Sequence, residues 1–391
     1  MNRPGIWHLS GDFPDPFDTA KTQAIRRLID LTATQFEHRV FSINRVTPGT
    51  AELAHSLVSG AVAIEERKFE YGVALRYQAP PRGLFHATYL KRLGDWLADQ
   101  AEAYGKPDLI IGHKLTIEGI AVERAARKLG VPYAIVIQGN SDEKILRYRP
   151  GLHTRLERVF HRAGAIFPFA PWALAAAEEK LGKARAPVEL LPCPLAEGWQ
   201  LVAPTPGGSQ FASAFNLGTY KEKNLAGLAR ALGLLRARGV DVHCRIAGGG
   251  KEADRRATKR AIGNATGIEF LGQRDQPALA RLFNESIAMV LPSRRESFGL
   301  VFIEALMSGC PIIYPAGAGV DGYFNGKSFA LRVDATDPRS IADAMEHATA
   351  NQAEMKAALA EWQQSDEARF FARASIAEIF AAGIRQAIEP S

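Results

Sequence analysis

Short runs of apolar residues alternate with amphipathic stretches along the whole chain. Stretches with helical periodicity occur at 20–35, 84–104, 116–129 and 171–182 in the first half. The apolar runs of this half are GIWHLS, HRVFSI, DLIIGH, YAIVIQG and GAIFPFA. Continuous apolar strands that alternate with helices are typical of parallel sheets covered on both faces. The first half is therefore predicted to be an α/β domain.

The second half repeats this alternation. Its predicted strands are FNLG, HCRIAGG, IEFLG, IAMVLPS and CPIIYP, and leucines at 225, 228, 232 and 235 mark one helical face between the first two. The segment LVAPTPGGSQ at 201–210 is rich in Pro, Gly and Ser and is predicted to be a linker. The fold class is thus α/β, with one doubly wound domain at 1–200 and another at 201–367.

The composition places the chain among soluble globular proteins. Of 391 residues, 47% are hydrophobic and 23% are charged. No apolar run reaches the roughly 18 residues that a membrane span needs, and the first residues lack a signal-peptide pattern. Cys193, Cys244 and Cys310 lie far apart, so neither a disulfide framework nor a zinc cluster is predicted. These features favour a cytoplasmic location.

The net charge of +6 is concentrated in one segment. KILRYRPGLHTRLERVFHR at 144–162 carries six Lys and Arg residues against one acid. This charge is either a solvated helix face or a contact for an anionic acceptor or an acidic membrane surface. No nucleic-acid-binding motif accompanies it, so nucleic acid is not expected as a partner.

Two glutamates stand out in LPSRRESFGLVFIEALMSGCPIIYP at 291–315. Glu304 lies within a run that is otherwise almost wholly apolar, and Glu296 lies eight positions before it. A strand is predicted at 287–291, followed by a helix from about Gly299 to Ser308. Burial of an unpaired carboxylate costs several kcal/mol, so Glu304 is expected to be buried with a partner. That partner is either a basic side chain or the hydroxyl groups of a ligand.

The start of this helix is a predicted anion site. The free N–H groups of its first turn, near Phe298, Gly299 and Leu300, point outward at the positive end of the helix dipole. Eight residues of helix span roughly 12 Å. A nucleotide-sugar has two sets of sugar hydroxyls separated by a diphosphate over a similar distance. Glu296 is either an exposed loop residue or part of a nucleotide-sugar site that Ser297 adjoins. The order of strand, Pro-Ser, Glu, Gly, apolar helix with Glu and then Gly-x-Pro, rather than the spacing alone, favours the site.

The same segment, PSRRESFGLVFIEALMSGCPII, resembles the signature of the retaining GT-B glycosyltransferases of family 4, in which two glutamates bracket seven residues. FNLGTYKEKNLAGLARAL, HCRIAGGG, IEFLGQRDQPALARLF and DATDPRSIADAM resemble the family in order and spacing, and the match is looser in the first half. The resemblance implies two Rossmann-like domains facing a central cleft. It also implies a C-terminal helix at 368–387 that packs back on the acceptor-binding first domain.

The resemblance also implies roles for residues of the second domain. Glu304 would bind the ribose of the donor nucleotide, and Glu296 would face the donor sugar or its phosphate. Lys223 would neutralise the diphosphate, which makes Glu296 and Lys223 the expected catalytic pair. Gly248 and Gly249 end another strand and would let the nucleotide approach closely.

The chain departs from the family pattern in the donor loop. Thr219 follows Gly218 at a place where the family usually has an arginine. Lys221 is therefore an alternative, or additional, phosphate contact. In GAGVDG at 317–322 the helix of a dinucleotide-binding motif is missing, so Asp321 is expected near the donor sugar instead.

The first domain supplies the expected acceptor and cleft residues. Its first loop, GDFPDPFDTAKT, replaces the family's glycine-rich loop and contributes Asp12, Phe13 and Lys21. Gln138 stands where the family often has a histidine. His113 ends a strand and is either a ligand contact or a structural residue.

These observations predict a retaining, metal-independent glycosyltransferase without a cofactor. It would move a sugar from a UDP- or GDP-sugar to a glycan or lipid-linked acceptor in cell-envelope or exopolysaccharide biosynthesis. Peripheral contact with the inner face of the cytoplasmic membrane would be consistent with the basic segment. The alternatives are a non-catalytic binding protein with the GT-B fold and a nucleotide-sugar epimerase.

Overall fold

The structure is a computed structural model, and it describes residues 3–47, 63–80 and 85–389. The first position of the predicted helix at 84–104 lies outside these residues. Within the described ranges, no helix is both long enough and apolar enough to cross a membrane.

Residue contacts divide the chain into two compact units. The N-terminal unit comprises Met1–Phe169, Ala173–Pro194 and Arg373–Ser391. The C-terminal unit comprises Ala170–Trp172 and Leu195–Ala372.

The N-terminal unit is built on a seven-stranded sheet in the described residues. The strands are β1 (Gly5–Ser10), β2 (Glu37–Val46), β3 (Ala63–Phe69), β4 (Gly72–Gln78), β5 (Leu109–Gly112), β6 (Tyr133–Ile137) and β7 (Ala165–Pro168). Their order is β3-β4-β2-β1-β5-β6-β7, in which β3 pairs antiparallel with β4 and the other neighbours are parallel. Strands β5, β6 and β7 are buried throughout because both of their faces are apolar.

Strands β3 and β4 are not among the predicted elements. Strand β3 reads AIEERKF, and its run of four charged residues hides the alternation that marks a strand. Charged side chains are typical of sheet edges, and β3 is the edge strand of this sheet.

Helices cover the strands of this part of the chain. They are α1 (Ala24–Thr32), α2 (His86–Asp99), α3 (Ala101–Tyr104), α4 (Glu118–Leu129), α5 (Asn140–Tyr148), α6 (His153–His161) and α7 (Pro171–Leu181). Helix α4 ends where Gly130 adopts a left-handed conformation with φ 62° and donates its N–H to the carbonyl of Ala126. Helices α5 and α6 carry the basic segment 144–162.

The C-terminal unit is built on a six-stranded parallel sheet. Its strands are β8 (Gln210–Ala214), β9 (His243–Ala247), β10 (Ile268–Gly272), β11 (Met289–Val290), β12 (Ile312–Pro315) and β13 (Ala330–Val333). Their order is β10-β9-β8-β11-β12-β13. The helices are α8 (Leu225–Ala237), α9 (Glu252–Ile262), α10 (Gln276–Asn284), α11 (Leu300–Met307), α12 (Pro338–Ala350), α13 (Gln352–Gln363), α14 (Asp366–Arg369) and α15 (Arg373–Ile388), and α15 belongs to the N-terminal unit. The prediction of two Rossmann-like α/β domains is confirmed.

The prediction of a strand at FNLG is wrong. Strand β8 ends at Ala214, and Phe215 is the last residue to donate an N–H to β9, at Ala247. The side chain of Asn216 then accepts a hydrogen bond of 2.8 Å from the N–H of Gly218 and starts a short 3-10 helix at Leu217–Thr219. FNLG is therefore the turn that follows the strand.

The C-terminal helix predicted at 368–387 starts five residues later, at Arg373. Helix α14 stops at Arg369, and α15 begins only at Arg373. The chain breaks there because Phe371 is buried among aromatic rings of the C-terminal unit and stacks on Phe324 at 5.6 Å between ring centroids. Helix α15 contacts α1 and β7 within the N-terminal unit. At Gly383, a Cβ atom would lie 2.4 Å from the ring of Phe167, so glycine permits this close packing.

Candidate functional site

The turn before helix α11 depends on one glycine. Gly299 adopts a left-handed conformation with φ 75°, and a Cβ atom there would lie 2.6 Å from the ring of Phe302. Only glycine fits that conformation and that contact without strain. Phe298 anchors the turn, because it is buried and packs edge-on against Tyr323. Leu300 is therefore the first helical residue, and the N–H groups of the first turn face outward beside Ser297.

An ion pair lies beside this turn. Lys223 Nζ donates to Glu296 Oε2, and their side chains are 19% and 13% exposed. The hydroxyl of Ser293 also approaches Glu296 Oε2, at 3.4 Å. The structure thus brings together the two residues predicted to be catalytic, although they are 73 positions apart in the sequence.

Backbone contacts hold the two loops of this ion pair in place. The N–H of Arg294 donates to the carbonyl of Glu222 at 2.7 Å, and the N–H of Gly319 donates to that of Glu296 at 2.9 Å. A third loop, at 317–321, therefore supports the position of Glu296. Lys221, the alternative phosphate contact, is exposed and lies 5.8 Å from the ring of Tyr220.

Asn224 was not predicted as part of the site. It occupies a left-handed conformation with φ 58° directly after Lys223, and its buried side chain donates to the carbonyl of Ala335 at 2.7 Å. Asn tolerates this conformation better than other residues with a side chain. An Asn before an apolar helical run is the sequence signal that could have identified it.

Glu304 is on helix α11 as predicted, but it is only half-buried. The partly exposed residues of the helix are Leu300, Val301 and Glu304, which lie on one face at spacings of three and four. The expectation of a buried carboxylate was wrong because the apolar run covers the other faces of a short helix.

The glycines at the end of β9 have neighbours from the protein itself. A Cβ atom at Gly248 would lie 1.8 Å from the carbonyl oxygen of Phe215, and one at Gly249 would lie 3.2 Å from Oε1 of Gln273. The close approach of Phe215, directly after strand β8, therefore already requires glycine at 248. The carbonyl of Gly249 accepts the N–H of Leu217 at 2.8 Å and fixes the 3-10 turn.

Gly218 and Thr219 are exposed on that turn. The hydroxyl of Thr219 donates to the carbonyl of Asn216 at 2.8 Å, and its own carbonyl accepts the N–H of Lys223 at 3.0 Å. Thr219 therefore orders the loop that leads to Lys223.

Asp321 is bound by protein groups. It is buried, accepts the N–H of Gly317 at 2.6 Å and forms an ion pair with Arg332 at 2.8 Å. The hydrogen bonds that Arg332 donates to Asp321 raise the pKa of Arg332. These contacts give Asp321 a structural role in the 317–321 loop.

Two of the predicted cleft residues in the N-terminal unit serve the core. Phe13 is fully buried with Ile25, Ile29 and Val40, so its prediction as a ligand contact was wrong. Lys21 forms an ion pair of 2.7 Å with the buried carboxylate of Asp15. Burial works to raise the pKa of Asp15, but hydrogen bonds from Lys21, Ser42 and Asn44 lower it overall. The charge of Lys21 is therefore already compensated.

His113 lies in a buried chain of histidines. Its Nε2 is 3.0 Å from Nδ1 of His8, and Nε2 of His8 is 2.9 Å from Nδ1 of His38. The other ring nitrogen of His38, Nε2, contacts the hydroxyl of Thr32. Burial lowers the pKa of His113 to about 3 and that of His38 to about 4, so the rings are neutral at pH 7. Of the two roles left open for His113, the structural one fits this burial.

Asp12 and Gln138 lie beside charged residues that were not predicted. Lys114 Nζ is 2.7 Å from the carboxylate of Asp12, and the backbone N–H of Gln138 donates to the buried carboxylate of Asp142 at 3.2 Å. Buried Glu118 accepts the N–H of Gly11 at 2.8 Å. The only sequence signal for this group was polar residues directly after predicted strands.

Part of the chain matches a known family. Residues 215–365 match the family described as Glycosyl transferases group 1. The D-inositol 3-phosphate glycosyltransferase of Corynebacterium jeikeium (strain K411) is 30% identical over 128 residues, which are 32% of this chain and 30% of that protein. The enzyme of the same name from Nocardioides sp. (strain ATCC BAA-499 / JS614) is 34% identical over 93 residues, or 24% of this chain and 20% of that protein. The match thus spans less than a third of the length of these curated relatives.

Solved structures resemble the chain over nearly its whole length. Sucrose-phosphate synthase from Thermosynechococcus elongatus has a TM-score of 0.71 at 19% identity, covering 98% of this chain and 99% of that one. Trehalose-6-phosphate from E. coli bound with UDP-2-fluoro glucose, as that structure is described, has a TM-score of 0.66 at 14% identity, with coverages of 98% and 99%. At these identities the likeness concerns the fold. The chain has the GT-B fold of these enzymes, and its residues 215–365 resemble the glycosyl transferases of group 1.

Proposed function

We propose that this protein is a glycosyltransferase that transfers a sugar from a nucleotide-sugar donor. The observation that carries the proposal is the Lys223–Glu296 ion pair beside the glycine turn that starts helix α11, inside the segment that matches the group 1 glycosyl transferases. A cation and outward N–H groups at one helix terminus suit a diphosphate.

The donor would lie along helix α11. Its diphosphate would take the N–H groups of the first turn and the ammonium of Lys223. Its ribose hydroxyls would donate to Glu304, which is half-buried on the exposed face of the same helix. Leu300 and Glu304 are four positions apart, which corresponds to roughly 6 Å of helix. That distance suits a diphosphate and a ribose that are directly bonded.

Donor binding would rearrange the ion pair. Lys223 is neutralised by Glu296 in the structure, and a diphosphate carries more negative charge than one carboxylate. The diphosphate would therefore attract Lys223, and Glu296 would become free to accept hydroxyls of the donor sugar.

The proposed reaction retains the anomeric configuration and needs no metal ion. The bond between the anomeric carbon and the phosphate oxygen breaks, while the acceptor hydroxyl oxygen bonds to the same carbon from the same face. The proton of that hydroxyl passes to the departing diphosphate oxygen. Lys223 and the helix N-terminus would stabilise the charge that develops on this oxygen. Resemblance to the family 4 signature supports the stereochemistry.

The acceptor belongs to one of two classes. The names of the curated relatives indicate D-inositol 3-phosphate, and those of the similar structures indicate sugar phosphates. The other class is a glycan or lipid-linked acceptor of the cell envelope. In either case the donor would be a UDP- or GDP-sugar.

An exposed patch on the N-terminal unit supports contact with an anionic membrane. Phe85 and Tyr148 are 60% and 68% exposed, and together with Arg149 they line a cavity of about 590 Å³. Arg147, in the basic segment, is also exposed. Aromatic and basic side chains together are typical of membrane-surface sites. Cosedimentation with vesicles of anionic phospholipid tests this contact, because a double variant with Phe85→Ser and Tyr148→Ser should stay in solution.

Thermal unfolding with UDP, GDP and ADP tests the proposed function. A nucleotide at a hundred times its Kd stabilises the fold by about 2.7 kcal/mol. We expect one of the three to do so for the wild type and not for Glu304→Gln. Glu361→Gln is the matched control, because Glu361 is an exposed glutamate in the last turn of helix α13.

The outcome separates the proposal from its alternatives. If no nucleotide stabilises the wild type, the protein is a binding protein and not a transferase. If the bound nucleotide-sugar is converted to an isomer without an acceptor, the protein is an epimerase.

A further inference from the structure

The loop at 317–322, which follows strand β12, contains three glycines in left-handed conformations. Gly317, Gly319 and Gly322 have φ values of 67°, 63° and 95°. Glycine has more backbone freedom than any other residue, so a loop with three of them is costly to order. The shape of the 317–322 loop therefore depends on the contacts that hold it.

The middle of this loop lies directly against Glu296. A Cβ atom at Gly319 would lie 3.4 Å from Cγ of Glu296 and 3.0 Å from the ring of Phe302. The N–H of Gly319 also donates to the carbonyl of Glu296 at 2.9 Å. A displacement of Gly319 would therefore displace Glu296 as well.

Trp172 binds the same glycine through its other backbone group. The indole Nε1 of Trp172 donates to the carbonyl of Gly319 at 2.8 Å, although the two residues are 147 positions apart. The N–H and the carbonyl of Gly319 belong to the two rigid peptide planes on either side of its Cα atom. Because Glu296 holds one plane and Trp172 holds the other, the two bonds together fix the backbone angles of Gly319.

The residue before Trp172 supports this contact. A Cβ atom at Gly322 would lie 2.6 Å from Cβ of Pro171, so the end of the loop packs closely on Pro171. Pro171 and Trp172 are the first two residues of helix α7, and residue contacts assign both to the C-terminal unit. The beginning of this helix thus contacts the loop at two points.

The contact with Trp172 gains importance when a donor binds. In the proposed function, the diphosphate attracts Lys223 away from Glu296. The contacts that then remain on Glu296 include the hydroxyl of Ser293 and the N–H of Gly319. The position of the freed carboxylate therefore depends on Gly319, and through it on Trp172.

We propose that Trp172 is a positioning residue for the donor sugar: its indole N–H fixes Gly319, and Gly319 holds Glu296 where its carboxylate accepts the hydroxyls of that sugar. This proposal rests on the proposed function, because it concerns the role assigned there to Glu296. The nucleotide is assigned to Lys223 and Glu304 instead. Loss of the indole N–H should therefore weaken recognition of the sugar and spare recognition of the nucleotide.

Calorimetric titration of Trp172→Phe tests the proposal, because this substitution keeps an aromatic ring and removes the N–H. The probes are UDP and GDP, together with UDP-glucose, UDP-galactose, UDP-N-acetylglucosamine and GDP-mannose. The nucleotide-sugar that binds the wild type most tightly is then compared with its own nucleotide. We expect the Kd of the nucleotide-sugar to rise about fivefold, the effect of one hydrogen bond, and that of the nucleotide to change less than about twofold. A purely structural role for Trp172 would raise both Kd values alike.

Trp199→Phe is the matched control. Trp199 is also a half-buried tryptophan of the C-terminal unit, and its buried Nε1 has no hydrogen-bond partner among the described residues. The same substitution there removes an N–H that makes no bond, so both Kd values should stay at the wild-type level. If Trp172→Phe does not fold, benzothienylalanine at position 172 keeps the shape of the indole and lacks only the N–H.

A double-mutant cycle tests whether Trp172 acts through Glu296. Glu296→Gln should weaken binding of the nucleotide-sugar by itself. Adding Trp172→Phe to Glu296→Gln should then raise the Kd of the nucleotide-sugar no further, because the two residues belong to one chain of contacts. Independent effects that multiply would show that Trp172 does not position Glu296.

Three outcomes overturn the proposal. They are equal Kd values of the nucleotide-sugar in Trp172→Phe and Trp199→Phe, an equal rise for nucleotide and nucleotide-sugar in Trp172→Phe, and independent effects in the cycle. If the wild type binds no nucleotide-sugar, the proposed function itself is wrong and this role of Trp172 is wrong with it. Binding of a nucleotide-sugar by the wild type together with any of the three outcomes rejects only the role of Trp172.

Discussion

Two lysine–carboxylate pairs follow strand ends in this protein, and they differ in what surrounds them. Lys223 and Glu296 lie beside a glycine turn and a helix N-terminus, and the surrounding loops are tied to each other by backbone hydrogen bonds. Lys114 and Asp12 lie above a buried carboxyl group whose second oxygen has no partner among the described residues. The first pair is a finished local structure. The second lies beside a buried carboxyl group that is only partly hydrogen-bonded.

The largest effect should come from breaking the first pair. We expect Lys223→Ala to lower kcat/KM by 10²–10³, or about 3–4 kcal/mol, because the leaving diphosphate loses its cation. The free energy of unfolding should also fall by about 1–3 kcal/mol, because Glu296 is only 13% exposed and loses its partner. Steady-state kinetics and urea unfolding of the same samples check both values.

Lys259→Ala is the control for this variant, since it removes an exposed lysine from helix α9. Equal kinetics in the two variants would mean that Lys223 does not act on the donor. In that case Lys221 would be the next phosphate contact to replace.

The surroundings of the second pair can be tested through Glu118, whose titration makes the free energy of unfolding depend on pH. The pKa of Glu118 is raised to about 7 in the folded protein, above its unfolded value, so the native state binds the extra proton between about pH 4.5 and pH 7. Stability from this group is therefore present at low pH and is lost as the pH rises through 7. Glu118→Gln cannot titrate and should gain about 2–3 kcal/mol relative to the wild type between pH 5 and pH 8.

The difference in unfolding free energy between the wild type and Glu118→Gln isolates the effect of this carboxyl group. The buried histidines work in the opposite direction, because their lowered pKa values make the native state less stable as the pH falls below 6.5. They contribute equally to both proteins and cancel. Urea unfolding at pH 5, 6.5 and 8 measures the difference, and a constant value would show that Glu118 keeps one charge state throughout.

The same contrast explains which parts of the molecule the sequence could predict. The α/β alternation, helix α11 and its glycine turn follow from residues that are neighbours in the chain. Glu296 was named because it adjoins this turn, whereas Lys223 was named from the resemblance to family 4. The half-burial of Glu304 was missed, because burial depends on which face of the helix the rest of the fold covers.

Contacts between distant residues limited the prediction elsewhere. Glu118 acquires its role from Gly11, which is 107 positions away, and nothing near it in sequence marks a buried carboxyl group. Phe13 was assigned to a cleft from its loop, yet the side chains of α1 and β2 enclose it. The strand at FNLG was misplaced because one side-chain hydrogen bond, from Gly218 to Asn216, ends the ladder early.

The smallest expected effect concerns Asn224, which sharpens the view that the first pair is a finished local structure. Asn224→Ala places a Cβ-bearing residue without a compensating side chain in the left-handed region and removes the hydrogen bond to Ala335. We expect a loss of about 2 kcal/mol in unfolding free energy, from about 1–2 kcal/mol of backbone strain and about 1 kcal/mol of lost bonding. Asn224→Gly relieves the strain, so it should be more stable than the alanine variant by about 1 kcal/mol.

Because Asn224 adjoins Lys223, the KM for the donor should rise more in Asn224→Ala than in Asn224→Gly while kcat changes less. Equal stability of the two variants would mean that the backbone at 224 relaxes and that Lys223 is held by the 3-10 turn alone.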